Sequence, residues 1–438
     1  MKSTQTIQDS QTDPVYLSAM AISSLTQTLP RGTEYCITIV LIVMMSGRLM
    51  QHKGSLARAV LPFVIDLKWG WHRVERAMER GKFSLDAMIE RGYQWCISNL
   101  EVETVRLGSQ QREVFSLDTS TIARLRCTVG KAELLGKGYC HTMGRAVRAN
   151  IVGAVVSVVK IKGIRTPLLR CIRYGKSSET AVEKLFQEIP KISDNCLIIV
   201  DAGIATKGQF SDANKKQALL GRLRRNCKLR CAPPPPVKGK RGAKTKHGLV
   251  LHPGRSKPEV KPDEDFKTLV EQRQIRVRRW NNLHYEGFHE TKLDLLRIDD
   301  PAYKDPLIVA TTAQGELSTA EFLQAYPHRW PVETLFFIGE ETTATEKPRA
   351  WTKLAVERRI GLGLLTASLL KAISAMGQPL AMGPWDLKAN PSAGRLANHL
   401  DIHLTKLLPL ALNQVEPRNY QKIQNHTQTK NLRSKNAA

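Results

Sequence analysis

The spacing of apolar residues between positions 35 and 110 is that of helices. Val74, Ala77 and Met78 recur at intervals of three and four, which places them on one face of a helix, and a similar set follows in the next segment. The opposite side carries basic residues: Arg73, Arg76, Arg80 and Lys82. The pattern predicts an all-helical N-terminal domain with one basic surface.

From Glu113 onward the pattern changes to that of strands. Val114–Asp118 alternates apolar and polar residues, while 151–161 and 167–172 are rich in Val and Ile or other apolar residues, which favours strands. An apolar stripe at helical spacing then predicts a helix that opens at Ser178 and stops at Pro190.

A short aliphatic run, Leu197 to Val200, follows that helix and ends on Asp201 and a glycine-containing turn. Such a run predicts a buried strand. Asp118 closes its own strand in the same way, and the order of elements allows the two strands to be neighbours. In open α/β sheets, sites collect at the carboxyl ends of strands, so both acids are site candidates. The alternative for Asp201 is a turn residue, since Asp before Gly often is one.

The second half of the chain alternates predicted strands with a basic loop. Residues 219–229 are predicted as a strand that carries Arg222 and Arg224, and 233–262, rich in Pro, Lys and Gly, as a loop. Further strands are predicted at 275–280, 293–298 and 307–312.

A third acid, Glu333, lies near the predicted start of a helix. Pro331 suits the first position of that helix. Glu333 then falls in the first turn, where the helix dipole favours the ionised carboxylate. Phe336 and Phe337 are predicted to pack inward.

Composition narrows the range of partners. A chain of 438 residues suggests two or three domains. Its formal net charge of +26 favours a polyanionic partner, most simply nucleic acid, along the basic helices.

The ten-residue apolar run Cys36–Met45 is too short to span a bilayer, and we expect no membrane partner. Eight scattered cysteines suit a reducing compartment, so we expect the protein to be cytoplasmic.

Two cysteines and two histidines have the spacing of a zinc finger: Cys227, Cys231, His247 and His252. The residues between the two pairs are prolines and a basic, Gly-containing run, which leaves no apolar core for a finger. Unrelated thiols and loop histidines are the simpler interpretation.

Three motifs together resemble the catalytic signatures of bacterial insertion-sequence transposases of the DDE type. They are Leu117-Asp118-Thr119-Ser120, Ile199-Val200-Asp201-Ala202-Gly203 and Tyr326-x2-Arg329-x3-Glu333. The segment from Arg222 through the Pro-rich basic loop is also similar to one branch of that group.

The resemblance implies an α/β fold, with an RNase H-like mixed sheet flanked by helices, a β-rich insertion and the N-terminal helical domain. The expected divisions are 1–110 for the helical, DNA-binding domain, 111–228 for the first part of the core, 229–305 for the basic loop and insertion, 306–375 for the last core strand and the Glu333 helix, and 376–438 for a basic tail.

The resemblance also implies the chemistry. Asp118, Asp201 and Glu333 would hold two Mg²⁺ ions, with Mn²⁺ as a substitute, and Asp118 would bridge them. Tyr326 and Arg329 would position phosphates. Arg222 and Arg224 would be further contacts to DNA phosphates. The expected partner is DNA, both the terminal repeats of the element and its target, bound by a homodimer at the nucleoid.

One position departs from the family pattern, in which a lysine follows the last acid after six residues. This chain has Glu340 there. Because that lysine contacts DNA near the cleavage site in the family, the reversed charge leaves a second interpretation open, namely a catalytically inactive DNA-binding descendant of a transposase.

Overall fold

The structure is a computed structural model that describes residues 13–65, 71–124, 135–140, 143–175, 179–212, 217–234, 248–270, 272–350, 352–377, 380 and 390–413. Several predicted features lie outside these ranges, among them Ser178, His247, residues 235–247 of the basic loop and the end of the C-terminal tail.

Thirteen α-helices and a 3₁₀ turn run through the described part of the chain. They are α1 (Pro14–Thr26), α2 (Arg31–Met45), α3 (Arg48–Gln51), α4 (Leu56–Ile65), α5 (His72–Arg80), α6 (Leu85–Asn99), α7 (Ala181–Ile192), α8 (Lys207–Asp212), α9 (Thr319–Ala325), the 3₁₀ turn Tyr326–Arg329, α10 (Trp330–Glu341), α11 (Lys353–Met376), α12 (Ala393–Ile402) and α13 (Leu404–Asn413).

Fourteen strands accompany them. They are β1 (Val102–Thr104), β2 (Arg106–Leu107), β3 (Arg112–Ala123), β4 (Leu135–Cys140), β5 (Arg145–Ile161), β6 (Ile164–Tyr174), β7 (Cys196–Val200), β8 (Gln217–Arg222), β9 (Leu229–Arg230), β10 (Val250–Leu251), β11 (Glu264–Val270), β12 (Arg273–Tyr285), β13 (Phe288–Asp299) and β14 (Leu307–Thr311).

The strands form one large mixed sheet in the order β1-β5-β3-β7-β8-β14-β13-β12-β9-β10, with β2 on β3, β4 and β6 on β5, and β11 on β12. Strands β3, β7 and β8 are parallel neighbours, while β5 lies antiparallel to β3 and to β6. The predicted strands of the first half are present, and the neighbouring positions of the Asp118 and Asp201 strands are confirmed. The predicted end of the first of these strands at Asp118 was wrong, because β3 continues to Ala123 in its pairing with β5. The chain is therefore an α/β protein whose sheet is flanked by helices.

Both faces of the first part of the sheet are covered. Along β5, Ala154 and Val156 belong to the core shared with the N-terminal helices, whereas Val155 packs with Leu185 of α7. This alternation follows from the period of two in a strand. Gly153 lets α7 approach closely, since a Cβ there would lie 2.6 Å from Leu185 Cδ1.

The N-terminal helices share one hydrophobic core with α10, α11 and the sheet. Two buried arginines of α11 tie them down through backbone carbonyls that lack helical partners. Arg358 donates to the carbonyls of Met78 and Gly81, and Arg359 donates to that of Gly54. The helical prediction holds up to Asn99, after which β1 and β2 extend the sheet.

One described helix, α11, is long and apolar enough to cross a membrane by length and composition, and 94% of its most apolar window is buried inside the protein. Its Ser368 hydroxyl donates to the carbonyl of Pro167 and accepts from the amide of Leu169 on β6. Helix α11 therefore covers the sheet.

Residues 229–305, predicted as a basic loop and β-rich insertion, contain strands β9 to β13 in their described part, and these strands continue the same sheet. Strand β14, expected as the last core strand, pairs antiparallel with β8 and with β13. A buried ion pair fixes the insertion, because Arg279 Nη2 donates to Asp294 Oδ2 at 2.9 Å and the two side chains are 8% and 1% exposed.

Three further predictions about the bounds and nature of elements were wrong. Strand β8 ends at Arg222, so Arg224 lies in the following turn, where its carbonyl accepts from the amide of Cys227. Pro190 lies inside the last turn of α7 and does not stop it. In the C-terminal segment predicted as a tail, α12 and α13 bury apolar side chains such as Leu396 and Leu407.

Candidate active site

Alternate residues of β3 face helix α10 and run along it. The Ser116 hydroxyl donates to the carbonyl of Arg329, just before the helix begins. The Ser120 hydroxyl lies 3.4 Å from Glu340 Oε1, near the end of the helix. Asp118 lies between the two serines on the same side of the strand, because side chains alternate with a period of two. The strand therefore directs Asp118 at the middle of α10, the helix that carries Glu333.

Asp201 lies level with Asp118 on the neighbouring strand. Strands β3 and β7 are parallel with Ser116 opposite Ile199, and each aspartate follows two residues later. Adjacent strands are roughly 5 Å apart, so the two acids lie side by side where β7 ends. The carbonyl of Asp201 accepts the amides of Ile204 and Ala205 in a turn, which leaves its carboxylate directed out of the strand end.

Glu333 reaches the same place from α10. The helix begins at Trp330 with Pro331 in its first turn, where a proline loses no helical hydrogen bond. Buried Val332, Leu335 and Phe336 anchor it. The predicted inward packing is confirmed for Phe336 and wrong for Phe337, which is 62% exposed.

The charges of the other two acids act on Asp118. Its pKa is raised to about 6, chiefly by burial and to a smaller extent by the carboxylates of Glu333 and Asp201, while the amide of Thr119 and the guanidinium of Arg329 lower it. The Thr119 amide donates to Asp118 Oδ1 at 2.7 Å. A bound cation would reduce the repulsion between these carboxylates and would favour the ionised form of Asp118.

Tyr326 and Arg329 hold the other two acids. The Tyr326 hydroxyl donates to Asp201 Oδ1 at 3.0 Å, and Arg329 donates to Glu333 Oε1. Arg329 is 6% exposed, and its guanidinium carbon lies 4.4 Å from the ring centroid of Trp330 and 5.6 Å from that of Tyr326. Both residues predicted to position phosphates therefore line the acidic cluster.

The two arginines of the β8 region differ. Arg222 is exposed at the carboxyl end of β8, next to β7, and its charge is felt at Tyr326, whose pKa it helps to lower against a larger rise caused by burial. Arg224 is exposed in the turn beyond. The structure thus brings Arg222 to the edge of the acids, whereas no described contact joins Arg224 to them.

Glu340 adds a fourth carboxylate to this surface. It is half-buried, and its pKa is raised by burial first and then by Glu346, with a small opposing effect of the Ser120 hydroxyl. The side chain expected to be a lysine is thus an acid held on the same face of β3 as Asp118.

The donor chemistry of the cluster fits a divalent ion, although the acids do not enclose one as they stand. Within the described ranges, no three His, Cys, Asp or Glu side chains form a ready metal cage. Asp201 is bonded to Tyr326 and Glu333 to Arg329. The charges of these two acids act on Asp118, but the three carboxylates do not surround one position as the ligands of a metal ion would. Carboxylate oxygens are the ligands that Mg²⁺ prefers, and we take the raised pKa of Asp118 as the sign of a fit.

The described cysteines and histidines with the spacing of a zinc finger lie apart from the acids. His252 Nδ1 lies 2.8 Å from Glu259 Oε1, and both Cys227 and Cys231 are partly buried. His247 lies outside the described residues.

Sequence reasoning missed two residues of the site, Ser116 and Ser120, and the burial of His328, which precedes Arg329. Ser116 and Ser120 were visible as polar positions alternating with Phe115 and Leu117, on the side of Asp118. His328 is 5% exposed, and burial lowers its pKa to about 4, with smaller effects of Arg165 and Lys160; a histidine between Tyr326 and Arg329 gives no sequence signal of burial.

Comparison with models of known protein families finds no match to this chain, and no curated protein matches it. The functional conclusion therefore depends on the residues and on their geometry.

Proposed function

We propose that the chain is a DNA transposase of the DDE type, which cuts DNA at the ends of a mobile element and joins those ends to target DNA. One observation supports the proposal. Asp118 and Asp201 lie side by side on adjacent parallel strands, and Tyr326 and Arg329 of one 3₁₀ turn bond to Asp201 and to Glu333, which lies 215 residues after Asp118 in the sequence. A structural role needs no such concentration of like charge, which destabilises the protein unless a cation binds there.

The topology supports an RNase H-like core. Strands β6, β5, β3, β7 and β8 are successive neighbours, antiparallel on one side of β3 and parallel on the other. Helices cover both faces of this part of the sheet. The insertion then follows β8, between the second and third acids.

Asp118, Asp201 and Glu333 are the residues that would hold two Mg²⁺ ions. When bound, the ions supply activation of the attacking oxygen and stabilisation of the leaving oxygen at phosphorus. Arg329 keeps its guanidinium fixed between two aromatic rings, and offers a positioned cation to a phosphate. Tyr326 orients the Asp201 carboxylate through its hydroxyl.

The N-terminal helices supply a second basic surface. Helix α5 buries Val74, Ala77 and Met78 and exposes its arginines, as the sequence predicts. We propose that this surface lies along DNA, that the protein acts as a homodimer on DNA, and that it resides with the nucleoid in the cytoplasm.

A second candidate function is that of an inactive DNA-binding descendant, and Glu340 is the observation that favours it. A carboxylate beside Ser120 repels a phosphate approaching Asp118, where the family pattern has an attractive lysine. Both candidates bind DNA and differ only in chemistry.

The test uses duplexes that carry the DNA flanking the gene on each side, with Mg²⁺, Mn²⁺, Ca²⁺ or a chelator. We expect nicked or joined products with Mg²⁺ or Mn²⁺ only, since Ca²⁺ takes longer and looser coordination. Asp118→Ala should abolish product and retain DNA binding. Product from wild type that Asp118→Ala leaves unchanged would contradict the three-acid mechanism, whereas product from Glu340→Lys alone would favour the inactive descendant.

A further inference from the structure

An open basic groove lies in the second half of the sheet. It has two connected parts, of about 560 and 630 Å³, which share Arg225, Gly254 and Ser256 in their walls. The described side chains that line the two parts include seven Lys and Arg and two acids, Asp299 and Asp300. The basic groove therefore carries an excess of positive charge.

The arginines of the basic groove are paired with carboxylates. Arg297 donates to Asp299 at 2.7 Å, and Asp300 has its own partner in Arg273, at 3.4 Å. The other arginines of the walls pair in the same way with acids beside the groove: Arg225 with Asp305, Arg255 with Glu259 and Arg276 with Asp265. These pairs hold the walls and offset the arginine charge.

Three lysines supply the positive charge that remains. Lys257, Lys267 and Lys304 line the basic groove and are exposed. Within the described ranges, no ion pair or hydrogen bond engages their ammonium groups. Lysine presents a compact ammonium with three donors and lacks the planar fork with which arginine reads a base edge. These side chains therefore suit phosphate groups.

The basic groove opens at the edge of the sheet where the acids lie. Strands β7 and β8 are parallel, so both end at the edge that carries Asp201. Strand β14 runs back from this edge and β13 runs towards it, which places the loop with Lys304 there. Lys267 lies at the same edge, because it pairs with Arg276 of β12, which pairs with Asp299 at the end of β13.

The segment 253–257, which carries Lys257, forms another wall. The guanidinium of Arg297 donates to the carbonyls of Pro253 and Arg255. Gly254 approaches the turn after β8 so closely that a Cβ there would lie 2.0 Å from the carbonyl oxygen of Arg225. The wall is thus fixed to the sheet, and the basic groove is formed before any ligand binds.

We propose that the basic groove binds the sugar–phosphate backbone of the DNA duplex whose cleavage site lies at the acids, with Lys257, Lys267 and Lys304 on phosphates. Contacts of this kind position a duplex without reading its sequence. The proposal rests on the proposed function, because it assigns the basic groove to the same duplex, and it adds a surface that holds that duplex away from the acids.

The order of the strands sets the distance between the basic groove and the acids. Counted from β7 across β8 and β14, β13 is the third neighbour and β11 the fifth, which corresponds to roughly 14 and 24 Å. At about 3.4 Å of helix axis per base pair, a duplex along this edge meets the groove about four to seven base pairs from the scissile phosphate.

The first test measures binding of the full chain to a 40-base-pair duplex by fluorescence anisotropy between 50 and 200 mM salt. Each neutralised phosphate contributes about −0.9 to the salt slope. We therefore expect Lys257→Gln, Lys267→Gln and Lys304→Gln each to make the slope shallower by about 0.9, and the triple variant by about 2.7. Over this fourfold change in salt, the triple variant should lose roughly 40-fold less affinity than wild type.

The matched control is Lys191→Gln. Lys191 is 69% exposed at the end of α7, close to the amino end of β7 and therefore at the opposite edge of the sheet, and we expect the variant to leave the slope unchanged. Circular dichroism should give the same spectrum and melting temperature for all variants.

The second test needs no variant. Lysine acetylation of wild type, read by mass spectrometry with and without the duplex, should show severalfold protection of Lys257, Lys267 and Lys304 by DNA and none of Lys191. Hydroxyl-radical footprints on duplexes of the flanking DNA should show protection about four to seven base pairs from the element end, which the triple variant loses. Protection that the triple variant keeps there would refute the placement.

The outcomes separate the basic groove from the proposed function. A steep wild-type slope that the triple variant retains, with acetylation unaffected by DNA, would overturn the groove and leave DNA binding intact. A wild-type slope near zero would overturn the proposed function itself. Groove lysines that are protected without DNA, in a protein whose sedimentation mass the triple variant lowers, would make the groove a protein interface and overturn its assignment to DNA.

Discussion

Replacing Asp118 by Asn should stabilise the metal-free protein while it abolishes the proposed chemistry. Burial and the carboxylates of Glu333 and Asp201 raise the pKa of Asp118 to about 6 from its usual value of 3.8. Keeping the group ionised in the folded state therefore costs about 3 kcal/mol above pH 6, and about 1–2 kcal/mol after allowance for its partial exposure. Asparagine removes the charge and keeps an oxygen for the Thr119 amide.

The pH dependence follows from the direction of that shift. A carboxyl group with a raised pKa in the folded state binds its proton more tightly there than in the unfolded chain, so stability is lost as pH rises from about 4 to 6. The stabilising effect of Asp118→Asn should be largest at pH 7–8 and should vanish below pH 4.

The assay is urea unfolding of wild type, Asp118→Asn and the control Asp194→Asn at pH 4, 6 and 8, with and without 10 mM Mg²⁺. Asp194 is exposed before β7, at the opposite edge of the sheet. We expect Mg²⁺ to stabilise wild type at pH 8 and to leave Asp118→Asn unchanged. An Asp118→Asn protein that is destabilised equally at all three pH values would refute the picture of a like-charge cluster that a cation relieves.

Three further changes test neighbouring parts of the structure. Arg329→Lys keeps the charge but loses the planar contact with Trp330 and Tyr326, so product formation should fall roughly tenfold or more with DNA affinity nearly unchanged; an equal loss of both would contradict a positioning role. His328 should contribute a loss of about 2–3 kcal/mol of stability between pH 7 and pH 4.5, opposite in sign to the contribution of Asp118, because the unfolded chain protonates His328 near pH 6.5 while burial holds its folded pKa at about 4; His328→Gln should remove that loss from the urea-midpoint profile. Asp294→Ala removes the buried carboxylate partner of Arg279 and leaves it the more exposed Glu264 at 3.9 Å, so it should destabilise the protein by about 3–5 kcal/mol; a loss below 1 kcal/mol in urea would mean that the pair is solvated.

The acids were predictable because each lies in or beside an element with a strong local pattern. Asp118 lies in a strand whose apolar and polar residues alternate, Asp201 follows a strand whose apolar residues run together, and Glu333 follows a proline that opens a helix; the predicted end of the first strand at Asp118 was wrong, since β3 continues to Ala123. Local signals of this kind survive folding, since they depend on neighbours in sequence. The same signals failed at Arg224 and at Phe337. In the first case the strand ended at Arg222, seven residues before its predicted end at Leu229, and in the second a side chain next to the buried stripe faces solvent.

The long-range arrangement was not accessible in the same way. That β14 pairs with β8, and that the insertion extends the core sheet, depends on contacts between strands far apart in sequence, which composition and spacing do not encode. The attachment of the N-terminal helices is similar. Arg358 and Arg359 look like polar residues in an apolar helix. Both are nevertheless buried, because backbone carbonyls that follow other helices accept hydrogen bonds from their guanidinium groups.

Glu340 shows where local and long-range reasoning must be joined. By sequence it is a departure from a family pattern, and nothing in its neighbours says where its side chain lies. The structure puts it opposite Ser120, two positions along β3 from Asp118, so the altered charge acts on the side of the strand that presents the first acid. A substitution on the far side of α10 would have little effect on phosphate approach, because exposed charges are screened beyond about 10 Å at 0.1 M salt. The position of Glu340, more than its charge alone, is therefore what makes the choice between an active transposase and an inactive descendant depend on this residue.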